Sequence, residues 1–142
     1  MIKGIFDRLD FTNNTIRILD YKTGSGNVSI PKDVSSVFTN SDNKIVFQLL
    51  LYVYILSKTS PEKNNTLFNN KTVIAGAYML KKNVKSISFL NKGEPIEQSV
   101  LDEFENGLNQ LLHTILSPSI PFTQTDDLRK CSYCDFKNIC NR

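Results

Sequence analysis

Asp7, Asp20 and Lys22 are the residues of this sequence whose types and spacing most directly suggest chemistry. One residue separates Asp20 from Lys22, so on a strand both side chains stand on the same face. If Asp7 lies on a paired strand opposite Asp20, two carboxylates confront each other on an apolar surface, where they repel and lose solvation. A divalent cation between them removes that cost, because hard oxygen ligands at this separation suit magnesium or manganese. A lysine beside such a cation can hold an attacking water or the negative charge that develops on a phosphate. The residues alone leave a second reading open, in which Asp20 and Lys22 form an ordinary strand ion pair and Asp7 pairs with Arg8 or lies exposed. Asp10, opposite Arg17 on the other face, reads as a surface ion pair.

The elements that must position these residues follow from pattern. Lys3 to Thr12 and Thr15 to Thr23 are strand-like runs, and Asn13-Asn14 suits the left-handed backbone of a two-residue hairpin turn. With Thr12 facing Thr15, Asp7 falls opposite Asp20, Leu9 opposite Ile18, Phe11 opposite Ile16 and Ile5 opposite Lys22. Gly24-Ser25-Gly26 ends the strand, and a weakly structured stretch follows. Asp42 or Asn43 is expected to cap a helix from about Lys44 to Ser57, which carries Gln48 and Tyr52 one turn apart on one face. Ser57 to Asn70 reads as a polar loop, and its Asn-x-Ser/Thr triplet at Asn64 as an Asn-rich turn. Thr72 to Leu80 and Val84 to Leu90 are further strands. Ser99 to Leu116 is a helix by the spacing of Val100, Leu101, Phe104, Leu108, Leu111, Leu112 and Ile115, despite a costly Gly107. The order predicts an α/β fold, a mixed central sheet flanked by helices.

The tail after Pro118 reads as irregular and ends in Cys131, Cys134 and Cys140, a C-x2-C-x5-C pattern too dense for chance. A cytosolic setting disfavours a disulfide and favours a metal or cluster, yet zinc and iron–sulfur sites normally take four ligands. His113, inside a helix well before the cysteines, reads as a structural or surface histidine rather than the missing ligand.

Length and composition bound these readings. A chain of 142 residues with 40% hydrophobic content supports one domain with one core, read as 1–117 for the core and 118–142 for the cysteine tail. No apolar run is long enough to cross a bilayer and no secretory signal is evident, which predicts a cytoplasmic protein with no membrane partner. The net charge of +3 fits a nucleic-acid partner without requiring one. The densest basic spots, Lys81-Lys82 with Lys85 and Arg129-Lys130, are compatible with a plain solvated surface.

Gly4-Ile5-Phe6-Asp7, a short turn, and then Ile18-Leu19-Asp20-Tyr21-Lys22-Thr23-Gly24 closely resemble the PD-(D/E)XK nuclease superfamily, in particular the RecB/AddB-like nuclease domains of bacterial recombination helicase-nucleases. The resemblance runs along the whole chain in order, through Gln48-Leu49-Leu50-Leu51-Tyr52 to the terminal cysteines. It implies a restriction-endonuclease-like core and a metal-dependent DNA nuclease, an exonuclease of DNA repair or recombination. Asp7, Asp20 and the Tyr21 backbone carbonyl would then be ligands of magnesium or manganese, and Lys22 the catalytic lysine. Gln48 and Tyr52 would be substrate-binding residues near the DNA, although without the family they read as polar tips on a core helix. Cys131, Cys134 and Cys140 would be three ligands of a [4Fe–4S] cluster whose fourth cysteine lies upstream in the full-length protein. The chain is accordingly expected to be the carboxy-terminal part of a longer protein that includes or joins a helicase, with the cluster absent and activity weak in the isolated piece. Two rival functions stay open on the residues: a non-catalytic DNA-binding module, and a structural domain whose tail is a zinc knuckle.

Overall fold

The computed structural model describes residues 3–12, 14–59, 71–80 and 86–142. Strands β1 (Arg8–Phe11) and β2 (Thr15–Lys22) form the expected hairpin, closed by the Thr12 amide donating to the Thr15 carbonyl at 2.9 Å and by the Thr12 hydroxyl accepting from the Thr15 amide at 3.0 Å. The register is the one the turn dictates, with Leu9 opposite Ile18 and Phe11 opposite Ile16. β2 then pairs in parallel with β3 (Thr72–Met79), and β3 pairs antiparallel with β4 (Ser86–Phe89), giving a four-stranded mixed sheet in the order β1-β2-β3-β4. The structure is therefore α/β. Val84 and Lys85, expected at the start of β4, the basic spot at Lys81-Lys82, Asn13 and the loop beyond Thr59 with its Asn64 turn lie outside the described residues.

A parallel pair cannot be joined by a hairpin, and the crossover from β2 to β3 carries helix α2 (Lys44–Thr59). Ala75 and Ala77 on β3 are fully buried, and these small side chains let the helix come close to the sheet. Ile16, Ile18, Leu49 and Leu50 are also fully buried, each worth about 1.5–3 kcal/mol of transfer free energy. The helix is apolar nearly all round because its outer side is covered as well. There Phe38 of the short helix α1 (Ser36–Thr39), Phe47 and Tyr54 of α2, and Phe104 of α3 (Gln98–Leu116) form one cluster, with ring centroids 5.2–6.2 Å apart.

Several expectations are corrected here. The stretch before α2 is not weakly structured throughout, since it contains α1, and the cap lies a turn earlier than Asp42 or Asn43. Asn40 caps a 3-10 turn (Ser41–Asn43) by accepting from the Asp42 amide at 2.9 Å, and that turn runs directly into α2. Asn43 is instead buried, donating from its side chain to Ser36. The first strand begins at Arg8 rather than Lys3. Ile5 does not face Lys22 and is 86% exposed, because the backbone leaves the sheet before Asp7. Phe6 turns onto α2, its ring edge-on to Tyr52 at 5.1 Å, and Gly4 lies close against the same tyrosine.

The chain divides into two compact units, Met1–Leu111 and Leu112–Arg142. The second is less irregular than its prolines suggest: after the end of α3 it forms helix α4 (Leu128–Cys131), capped by Asp127, and then a succession of turns. His113 is exposed in the last turn of α3. Among the described residues, no helix is long and apolar enough to cross a membrane.

Candidate active site

Alternation along β2 puts Ile16, Ile18, Asp20 and Lys22 on the face that α2 covers, so the strand carries a carboxylate into the core at its carboxy-terminal end. Asp20 is 2% exposed. A charge so placed is stable only with partners, and the structure supplies two. The Gln48 side-chain amide donates to Asp20 Oδ1 at 3.0 Å, and Lys22 Nζ stands 2.6 Å from Asp20 Oδ2. The ammonium is at ion-pair distance but outside hydrogen-bond alignment, so Oδ2 has a counter-charge and no directed donor.

Gln48 ties the group together. Its carbonyl oxygen accepts from Lys22 Nζ at 2.6 Å, while its nitrogen donates both to Asp20 and to the Tyr52 hydroxyl at 2.7 Å. The bonds to Lys22 and Asp20 fix the amide orientation, because an ammonium only donates and a carboxylate only accepts, and the Tyr52 hydroxyl suits that orientation. Tyr52 is 7% exposed and sits behind Gln48, so it reaches the site through that side chain rather than by facing solvent.

Asp7 takes part from the sheet edge. In the β1/β2 ladder the Thr12–Thr15 pair is hydrogen-bonded, and by alternation the Tyr21 amide and carbonyl also point toward β1. β1 has ended there, and the exposed carboxylate of Asp7 takes the place of a strand carbonyl by accepting from the Tyr21 amide at 2.9 Å. Asp7 thus reaches the Asp20 end of β2, although through the backbone of Tyr21 and not by strand pairing with Asp20.

Beyond Lys22 the strand opens into a cleft of about 370 Å³, lined among others by Lys22, Thr23, Gly24, Ser25, Lys44 and Gln48. Lys44 is a cleft residue that residue type alone does not single out, although it precedes Gln48 by one helical turn and shares its face. A crevice beyond the carboxyl ends of parallel strands is where open α/β sheets bind ligands.

The oxygen donors fit a divalent cation: a buried carboxylate oxygen without a directed donor, a second carboxylate at the same strand end, and a neighbouring backbone carbonyl. Among the described residues no three His, Cys, Asp or Glu side chains converge on one point. The expected surface pair on the opposite face is present, with Asp10 bound to Arg8 at 2.7 Å and to Arg17 at 3.0 Å. The Arg8 hydrogen bond holds the Asp10 carboxyl below its usual range.

In the second unit Cys131, Cys134 and Cys140 are free thiols that line one cavity of about 120 Å³ without converging as a metal site. Arg129 of the expected basic spot is bound to Asp127 at 2.9 Å.

No curated protein and no solved structure matches the chain at a significant level. The family model of the PD-(D/E)XK nuclease superfamily matches residues 1–141. With nearly its whole length covered, the chain belongs to the PD-(D/E)XK nuclease superfamily, whose members are metal-dependent phosphodiesterases acting on nucleic acid.

Proposed function

We propose that this protein is a magnesium- or manganese-dependent deoxyribonuclease whose site comprises Asp7, Asp20, Lys22 and the Tyr21 carbonyl. The observation that carries this reading is a buried carboxylate with one undonated oxygen, held beside a lysine at the mouth of a cleft. Asp20, Asp7 and the Tyr21 carbonyl are the donors that would hold the cation. When bound, that cation would polarise a phosphodiester and lower the pKa of water. Lys22 has three N–H donors: one is taken by Gln48, and a second lies on the Asp20 side, at ion-pair distance but without hydrogen-bond alignment. The third remains to orient the attacking water or to meet the charge building on a nonbridging phosphate oxygen. Gln48 and Tyr52 act as positioning residues, holding Lys22 and Asp20 in one fixed geometry.

Linear single- and double-stranded DNA incubated with the full-length protein and either metal tests the proposal. Cutting is expected in the wild type and is lost in Asp20→Ala and Lys22→Ala. Robust cutting that survives either substitution rejects the assignment. DNA binding that is indifferent to metal and never followed by cleavage would mark a non-catalytic binding module instead.

The finer identity rests on the motif order. Gly-x-x-Asp, Asp-Tyr-Lys-Thr-Gly, Gln-x-x-x-Tyr and the cysteine tail support a RecB/AddB-like exonuclease of DNA repair or recombination, working with a helicase domain or subunit. On this reading Cys131, Cys134 and Cys140 supply three ligands of a [4Fe–4S] cluster. Iron and sulfide in anaerobically purified full-length protein are the expected result, and zinc without either would make the tail a zinc knuckle.

A further inference from the structure

The cleft beyond β2 contains more cationic and polar chemistry than cleavage of one phosphodiester uses. Lys22 is committed to Asp20 and Gln48. Lys44, on the same cleft, is exposed, and its side chain has no ion pair or hydrogen bond among the described residues. Its position on α2, one turn before Gln48, keeps it adjacent to the site while leaving its charge uncompensated. Thr23 and Ser25 line the same cleft.

Gly24 between them is a second, independent observation. A Cβ there would meet no atom within 4 Å, and Gly24 is not among the residues with positive φ. The fold itself therefore has no need of glycine at this position. What a side chain would obstruct is the cleft, and glycine in such a place is suited to close approach by a ligand.

We propose that Lys44, with the Thr23-Gly24-Ser25 turn, forms a second phosphate subsite that grips a backbone phosphate next to the one being cut. The inference rests on the nuclease reading above and adds a substrate requirement: a nucleic-acid strand with at least one phosphate beyond the scissile one. Lys44 is a binding residue here, acting as a compact point charge on an anionic oxygen, while Thr23 and Ser25 donate hydroxyl hydrogens to the same group. Phosphate contacts of this kind fix register along the strand without reading sequence.

The test separates binding from cleavage. A labelled oligonucleotide duplex is titrated with the protein in EDTA, where metal-dependent cutting cannot occur, and cleavage is then measured with magnesium or manganese. Lys44→Ala is expected to weaken binding roughly fivefold and to reduce the log–log salt slope by about 0.9, the value of one lost duplex phosphate contact. Gly24→Val should also weaken binding without lowering Tm, and Lys92→Gln, a charge-matched change outside the cleft, should leave binding unchanged. A neutral methylphosphonate next to the cut site should make the wild type bind like Lys44→Ala and cost that variant nothing further.

Wild-type affinity and salt slope in Lys44→Ala overturn the subsite, as does a methylphosphonate penalty equal in both proteins. A Lys44 effect on binding in a full-length wild type that never cuts supports the subsite and rejects the nuclease assignment instead. A wild type that does not bind the duplex overturns both.

Discussion

The Gln48 side-chain oxygen accepts a hydrogen bond from Lys22 Nζ at 2.6 Å, joining the crossover helix to the strand it follows. Through its nitrogen the same amide holds Asp20 at 3.0 Å. One neutral side chain thus fixes the relative position of an acid and a base that would otherwise be set by two flexible chains. Its own rotamer is held in turn by the Tyr52 hydroxyl, and Tyr52 by the ring of Phe6. Phe6 directly precedes Asp7, so the turn of backbone that packs Phe6 on α2 also delivers the Asp7 carboxylate to the Tyr21 amide.

Gln48→Ala should therefore damage the site more than the core. Asp20 Oδ1 would lose its donor while remaining buried, a cost of about 1–3 kcal/mol. Gln48→Glu should be worse, since it sets a second carboxylate against Asp20. Urea unfolding ranks the three proteins; a Gln48→Glu variant as stable as the wild type would show that the amide bridge does not hold Asp20. On the proposed mechanism, kcat should fall in Gln48→Ala more than KM rises, because the side chain's bonds go to Lys22, Asp20 and Tyr52.

Much of this was legible in the sequence, and the illegible parts have physical reasons. The hairpin register followed from a two-residue turn, and the α/β layering from periodicities of two and 3.6. Asp20 and Lys22 could be placed on one face because a strand leaves no choice. Asp7 could not be placed the same way, because Phe6 packs on Tyr52 of α2 and β1 starts only at Arg8, a tertiary contact that local pattern does not encode. The role of Gln48 was hidden for a similar reason: a lone glutamine on an apolar helix reads as a polar tip until the partner strand is positioned. Gly107 looked like a defect in α3 and is a packing requirement.

Lys22→Met offers a test of how Asp20 is compensated. Removing the ammonium leaves a buried carboxylate with only an amide, which should destabilise the protein by somewhat less than the roughly 3–5 kcal/mol of a wholly buried pair, since the lysine side chain is 26% exposed. A divalent cation held by Asp20 and Asp7 would replace that charge. Magnesium or manganese is then expected to raise Tm more in Lys22→Met than in the wild type, and not at all in Asp20→Asn, by linkage of binding to folding. Equal Tm values with metal and with EDTA in all three proteins would mean that no cation binds at this carboxylate.

The tether between α2 and α3 should make stability depend on pH. Glu105 accepts from Lys58 at 2.9 Å and from the Tyr54 hydroxyl at 2.9 Å, and these bonds, the Lys58 one foremost, hold its carboxyl below the ordinary 4.5. Lys58 is raised above 10.5 chiefly by the same bond. A depressed carboxyl contributes stability that is present above its unfolded value and lost as pH falls through the folded one, whereas the raised lysine contributes until pH climbs through its folded value. The Tm advantage of the wild type over Glu105→Gln is thus expected to be level between about pH 5 and pH 10 and to shrink on either side. Thermal melts across that range check it; an advantage that stays constant as pH falls to about 3 would show that Glu105 does not titrate with folding.

Gly107→Ala should destabilise the protein although it improves the helix. Alanine favours an exposed helix interior by about 1 kcal/mol over glycine, yet a Cβ at position 107 would run into the ring of Phe38. Phe38 cannot withdraw freely, because it is packed against Phe47 at 5.5 Å and Phe104 at 5.2 Å. Overpacking of this kind costs about 1–3 kcal/mol, so the net change is expected to be a loss of as much as roughly 2 kcal/mol. The double variant Gly107→Ala with Phe38→Leu should recover part of that loss, since the smaller side chain makes room for the methyl group while the helix keeps its gain. Urea melts of the single and double variants measure the coupling. Strictly additive effects would show that Phe38 is not what requires glycine at position 107.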